Sequence, residues 1–365
     1  MIPFYKPFLE RYTKSAIEAI ESNWISNHGK YIELASKELL KRIKSKYCIL
    51  MNNGTSATHC LFLSLKFKHP EIKKIYVPNN VFIAPINCVL REYESSMIEV
   101  MKIDVKTLNI CVEDKYIQSL DKNSAILIVH NLGNIINISR LKRLRPDIIF
   151  VEDNCEGIFG KYENYNTSSC TDVLCSSVSF YGNKTITTGE GGAFFTNDKD
   201  IYDNVIKIYS HGMTDKKYVH DSIGYNYRMT NVSGGLLYDQ LMDLNFILEN
   251  KKRVFETYIN ILKENKNIIF PFTEKETSRS YWVFFLIFKN KKYVEAEKYL
   301  SDKGIETRPI FYPISVHSHL KIKSNENKDN FFINENGIIL PSYPNLTEKE
   351  ISYICHSIQK FTNYD

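Results

Sequence analysis

The chain has 365 residues, of which 43% are hydrophobic and 24% charged, with a formal net charge of +5. That balance excludes a disordered or collagen-like chain, and the length suggests two domains with enough volume to bury about three quarters of the unfolded surface. The longest apolar run, 281–288, is far short of the ~20 residues of a membrane-spanning helix, and no signal-peptide core follows Met1, so a cytoplasmic protein is expected.

Helical and β-rich patterns alternate through the first two hundred residues. Amphipathic spacing predicts a helix over 33–44, then a short strand over 48–51 that ends in Asn52-Asn53-Gly54. Helical spacing resumes over 55–65. A strand is predicted at 74–78, a helix at 84–91, and apolar runs of strand length at 97–103, 125–130 and 148–152. This alternation argues an α/β fold with a mixed, mainly parallel sheet flanked by helices. Ligands of such sheets bind at the carboxyl ends of the strands, which makes the residues after each strand the candidates. Strands at 175–180 and 192–196 enclose a turn-rich stretch. One long helix over 239–266 is expected to link a large domain, 1–240, to a smaller α/β domain, 241–365, with strands at 281–288 and 305–308 and helices at 294–303 and 348–361. The polar stretch 321–330 reads as a loop.

The densest basic cluster, Arg140, Lys142, Arg143 and Arg145, recurs at helical spacing. A solvated helix face explains it better than nucleic-acid contact, and neither nucleic acid nor membrane is expected as a partner. The eight cysteines contain no C-x-x-C pair, so no metal site is expected and the thiols read as reduced and buried.

Four segments carry chemistry. Asn53-Gly54-Thr55-Ser56-Ala57 opens a helix with a glycine and two hydroxyls, which suits an anion or merely a helix cap. Glu152-Asp153-Asn154-Cys155-Glu156 follows an apolar strand, and a carboxylate there needs a cation or proton donor unless it caps a helix. Ser179-Phe180-Tyr181-Gly182-Asn183-Lys184, followed by Thr188-Gly189-Glu190-Gly191-Gly192, puts a lysine among small residues between two strands. Such a lysine is either solvated or, when desolvated, reactive toward carbonyl carbon. Gly224-Tyr225-Asn226-Tyr227-Arg228 alternates two anion-binding side chains with aromatics. No G-x-G-x-x-G, Walker A or G-x-S-x-G pattern is present, which disfavours dehydrogenase, P-loop and α/β-hydrolase readings.

In this order and spacing the four segments resemble the DegT/DnrJ/EryC1/StrS family, pyridoxal-phosphate (PLP) sugar aminotransferases of the aspartate-aminotransferase fold, PLP fold type I. The likeness runs from about Trp24 to the end of the chain. It rests on S-F-x-x-x-K with T-G-E-G-G at 179–184 and 188–192, N-G-T-x-A at 53–57, E-D-x-x-[QE] at 152–156 and G-x-N-x-R at 224–228. The resemblance implies that Lys184 bonds covalently to PLP and then shuttles a proton. It implies that Asp153 pairs with the pyridine nitrogen, that Glu156 stands near the ring hydroxyl and that Phe82 stacks on the ring. Thr55, Ser56 and Ser179 would hold the phosphate, with Asn226 reaching it from the neighbouring subunit of a homodimer. The segments 24–31 and 307–313 are similar to perosamine-synthase-like members, which aminate C4 of a nucleotide-linked 4-keto-6-deoxyhexose with L-glutamate as donor. Arg228, Arg308 and Tyr312 would then meet the pyrophosphate or the donor carboxylate, and Trp24 and His317 the sugar. Val81 replaces the usual Thr beside Phe82, and Asn131-Leu132-Gly133-Asn134 replaces a frequent L-Y-G-x-P, which leaves the substrate open. GDP, UDP and dTDP are not distinguished. Two other readings remain: 3-amination or another PLP reaction on a nucleotide sugar, and a non-catalytic PLP-binding regulator. The family's dehydratases carry His where Lys184 stands.

Overall fold

The computed structural model describes residues 1–324 and 328–363. Its larger sheet has seven strands in the order Tyr47–Met51, Gly192–Thr196, Cys175–Ser179, Ile149–Asp153, Ser124–Val129, Lys74–Val77 and Ile98–Val100. Six of them share one direction, and Gly192–Thr196 alone runs against its neighbours. Side chains of a strand alternate between faces, so neighbouring residues divide between two cores. Leu50, Ile126, Phe150 and Phe195 enter one core. Ile49, Leu127, Val151 and Phe194 enter the other. Helices cover both faces, which is why these strands are apolar at successive positions instead of alternating with polar ones. The α/β mixed sheet is the architecture expected of the sequence.

A second sheet, antiparallel, joins Ile268–Ile269, Phe284–Phe288, Gly337–Leu340 and Arg308–Pro309. One of its faces packs on the helix Glu348–Asn363 through Phe284, Leu286, Phe288, Ile354 and Ile358. Its other face, Phe285, Ile287 and Ile339, meets Ile103, Leu108 and Leu132 of the first sheet's connections. The N-terminal segment also belongs to this seam. Ile2 pairs beside Ile305, and the N–H of Phe4 donates to Glu306 Oε2 at 2.9 Å.

Four details differ from the sequence reading. The helix expected over 239–266 is two helices, Asn231–Met242 and Leu244–Leu262, broken at Asp243. Asp243 sits at φ −116°, ψ 25°, outside the helical well, and its carboxylate accepts from Tyr12 Oη at 2.9 Å and pairs with Arg11. Aspartate engaged sideways in this manner competes with the helix ladder. The strand expected from 281 begins at Phe284, because Tyr281 is turned to φ 56°. The strand expected at 305–308 is reduced to Arg308–Pro309, the proline having no N–H for a ladder. The loop expected over 321–330 gives way to the helix Lys328–Asn336, and 325–327 lie outside the described residues.

The basic cluster lies on the helix Ile138–Leu144 and beyond it, each guanidinium facing a carboxylate: Arg140 with Asp114 and Glu274, Arg143 with Glu163, Arg145 with Asp147. All eight cysteines are free thiols, six of them buried. No helix among the described residues is long and apolar enough to cross a membrane.

Candidate active site

The strand Tyr47–Met51 ends at a turn from which the helix Gly54–Lys68 starts. Asn53 caps it, accepting from the Ser56 N–H at 2.8 Å and from Ser56 Oγ at 3.0 Å. Such a cap contributes about 1 kcal/mol. The helix start lies against the end of the strand Cys175–Ser179. A methyl group on Gly54 would stand 2.6 Å from Ser179 Cβ and 3.2 Å from Cys155 Sγ, so only glycine permits this approach. Ser56 and Ser179 are buried there and Thr55 faces solvent. Backbone N–H groups and the positive end of the helix dipole thus converge on a rim of three hydroxyls.

Asp153 and Glu156 stand at the carboxyl end of Ile149–Asp153, both within 5% of full burial. Asp153 Oδ1 accepts from the Cys155 N–H at 3.0 Å. Its Oδ2 lies 3.4 Å from Thr58 Oγ1, which in turn meets Ser177 Oγ at 2.9 Å. Burial holds the Asp153 carboxyl above its ordinary value, against the lowering influence of these hydrogen bonds and of the Lys184 charge. Glu156 Oε2 accepts from the Leu132 N–H at 2.7 Å, and burial pushes its carboxyl up to about 7.

Lys184 lies in the turn between Cys175–Ser179 and Gly192–Thr196, two strands paired from Cys175 with Thr196 to Ser179 with Gly192. Its Nζ is 3.9 Å from Glu156 Oε1 and 3.7 Å from the centre of the Trp282 ring. Lysine, two carboxylates and the hydroxyl rim therefore gather at one edge of the sheet.

Phe82 caps the helix Ile83–Glu92, is 56% exposed and tilts against Phe311 with centroids 6.0 Å apart. The segment carrying Tyr312 and His317 is tied to the same turn: Asn79 Oδ1 accepts from the Ile314 N–H at 2.8 Å, and Asn80 Nδ2 donates to the Phe311 carbonyl at 3.1 Å. Tyr312 is exposed and His317 rests edge-on against His319. Of the remaining expected residues, Trp24 and Arg308 stand elsewhere within one chain, while Asn226 and Arg228 run beside the turn after Met51. Trp24 is 63% exposed beside Gly29, Lys30 and Tyr31, its carbonyl held by Asn231 Nδ2 at 2.6 Å. Arg228 Nη1 donates to Ser210 Oγ at 3.1 Å. Arg308 pairs with Glu306 and lies over the Phe4 ring, so its charge is already engaged. Asn226 is exposed, its carbonyl accepting from Asn52 Nδ2 at 3.2 Å next to the helix start.

Three participants escaped sequence reasoning. Thr58 was within reach of it: four residues after Gly54, it shares that glycine's helix face. The Leu132 N–H and Trp282 were not, because a backbone donor and a contact between distant segments leave no trace in spacing.

The DegT/DnrJ/EryC1/StrS aminotransferase family matches this chain over residues 9–359. A GDP-perosamine synthase of Escherichia coli O157:H7 is 32% identical over 367 residues, covering 99% of this chain and 98% of that protein. The Escherichia coli GDP-4-keto-6-deoxy-D-mannose-3-dehydratase with bound hydrated PLP has the same fold, with a TM-score of 0.88, 22% identity and coverage of 98% and 99%. A GDP-4-keto-6-deoxymannose-3-dehydratase with a trapped PLP-glutamate geminal diamine superposes with a TM-score of 0.88, 23% identity and coverage of 98% and 100%.

Proposed function

Because the chain belongs to the DegT/DnrJ/EryC1/StrS aminotransferase family, we propose that it moves an amino group from L-glutamate to C4 of a GDP-linked 4-keto-6-deoxyhexose. The protein is a PLP-dependent sugar aminotransferase. The observation that carries the substrate reading is its 32% identity, end to end, with a GDP-perosamine synthase.

The residues present fit PLP. The Gly54–Ser179 approach makes a cradle for a phosphate at a helix start, and a desolvated Asp153 carboxylate calls for a cationic partner. In this reading Thr55, Ser56 and Ser179 hold the phosphate and Phe82 covers the ring. When bound, PLP supplies an electron sink and a carbon that exchanges oxygen for nitrogen. Asp153 keeps a proton on the pyridine nitrogen. Glu156, oriented by the Leu132 N–H, would serve the ring hydroxyl. Lys184 Nζ would carry a proton from the donor carbon to the cofactor carbon, and in the reverse sense toward the sugar carbon. Trp24, Arg228, Arg308, Tyr312 and His317 remain assigned to substrate, with Tyr312 and His317 best supported because their segment is tied to the turn of Phe82.

Asn226 completes the phosphate site of a second subunit in a homodimer; its exposure in the single chain supports this. The division into a cofactor part, 1–240, and a smaller part, 241–365, belongs to the same reading, supported by the seven-stranded and four-stranded sheets, each built from one part alone; a small third sheet, Thr277–Ser278 with Lys161–Tyr162 and Tyr165–Asn166, joins the two parts. A cytoplasmic setting suits eight unpaired thiols.

The test is a panel of GDP-, UDP- and dTDP-linked 4-keto- and 3-keto-6-deoxysugars incubated with L-glutamate. Amination of the GDP-4-keto sugar is expected. Turnover of a 3-keto sugar alone, or of UDP or dTDP sugars in preference, would overturn the assignment.

A further inference from the structure

The stabiliser nearest to Lys184 Nζ is an aromatic face: the Trp282 ring centre at 3.7 Å, ahead of Glu156 Oε1 at 3.9 Å. The lysine side chain is only 13% exposed, so an ammonium there has little help from water. Glu156, with its carboxyl pushed up to about 7, carries its negative charge only in part near neutral pH. The indole face is electron-rich at every pH. It also has no basic atom. A carboxylate touching the lysine would compete for the proton being moved, whereas a ring face stabilises the ammonium and leaves the proton on nitrogen.

Trp282 is fixed for such a task. Its Nε1 donates to the carbonyl of Asn183 at 2.9 Å, the residue before the lysine. Its own carbonyl accepts from Lys251 Nζ. Lys251 is 3% exposed and also donates to the Ser342 carbonyl at 2.6 Å, so it bolts the helix Leu244–Leu262 to both segments. The two lysines and Trp282 line one cavity.

We infer that Trp282 is a positioning residue whose ring face holds the Lys184 amine while that amine is not joined to the cofactor, and that Lys251 anchors Trp282 for this role. The inference rests on Lys184 being the reacting lysine.

The chain has two tryptophans, Trp24 and Trp282. In a Trp24→Phe protein, Trp282 can be exchanged for fluorinated tryptophans, which keep its shape and drain electron density from the ring face. The measurement is acetylation of Lys184 by acetic anhydride across pH, read by mass spectrometry, in full-length enzyme loaded with the cofactor's amine form. The other titratable groups facing Lys184 are Asp153, Cys155 and Glu156, with Tyr5, Lys6, Lys251 and Tyr343 around the cavity; fluorination alters none of them. The labelling midpoint should fall with each added fluorine, by about one pH unit at full substitution. Trp282→Leu should fall as far and Trp282→Phe part of the way, with Lys251→Met giving a smaller shift in the same direction. A midpoint unmoved by fluorine, or equal in the Leu and Phe variants, means that Trp282 merely fills space. Transamination surviving in Lys184→Ala would instead sink the underlying reading.

Discussion

His130 Nε2 lies 2.9 Å from Glu152 Oε1, and neither side chain has any exposure. His130 Nδ1 accepts the Ile136 N–H at 3.1 Å, so its proton sits on Nε2 and is donated to the carboxylate. The other Glu152 oxygen accepts the Ser168 N–H at 2.9 Å. The pair therefore clamps the strand one residue before Asp153. His130→Ala leaves a buried carboxylate short of a donor and should cost about 3–5 kcal/mol in urea unfolding. Glu152→Gln, which keeps the acceptor and removes the charge, should cost clearly less.

Lys184→Ala should abolish turnover while the melting temperature stays within a few degrees of the parent, because the bond to carbon proposed for it has no substitute nearby. A variant that aminates at near-parental rate would show that another group is the nucleophile.

Asp153→Asn preserves shape and removes the charge that, in the proposed reading, keeps the pyridine nitrogen protonated. A fall in kcat of at least about a hundredfold is expected, with PLP retained through Lys184 and the phosphate cradle. Spectral titration with PLP measures the retention; full activity in the variant would reduce Asp153 to the role of a turn residue.

Stability of the cofactor-free protein should pass through a trough near pH 7. Glu156 is raised by burial from 4.5 to about 7, so the folded state holds its proton more tightly and stability is lost as pH rises between those values. Lys251 is lowered by burial from 10.5 to about 7, so the unfolded state binds its proton more tightly and stability returns as pH rises from about 7 toward 10.5. At about 1.36 kcal/mol per pKa unit the acid limb is about 3 kcal/mol and the alkaline limb about 5 kcal/mol. Glu156→Gln should flatten the acid limb and Lys251→Met the alkaline one in chemical denaturation curves; two unaltered limbs would refute the assignment.

Mixing tests whether the site is shared between subunits, as proposed. Lys184→Ala subunits retain Asn226, and Asn226→Ala subunits retain Lys184. A mixed dimer holds one intact composite site, so two impaired preparations should regain part of the parental activity after subunit exchange. No recovery under verified exchange places Asn226 in the structure of its own subunit.

The sequence was informative where local physics decides. The strand-turn-helix junction at Met51 and the strand end at Asp153 could be read because apolar runs end there in Gly, Asn or Asp, whereas spacing alone left Lys184 as readily solvated as reactive and the family resemblance singled it out. It was silent where distant segments meet. Trp282 sits in an apolar run that reads as plain strand, yet its ring covers Lys184. Asp243 reads as one more polar position of a helix, and only the approach of Tyr12 and Arg11 explains the break.

The lysine turn is closed at both ends by strands of the same sheet, register-locked from Cys175 with Thr196 to Ser179 with Gly192. In the proposed reading Lys184 is an arm on a post held between two paired strand ends, its own methylenes supplying the reach. Such a mounting separates the tool from the scaffold. The backbone can keep its shape whichever side chain stands there, and a dehydratase shares this fold at a TM-score of 0.88. For redesign, a new activity here begins with the residue on the post and the walls around it, and the sheet can be left alone.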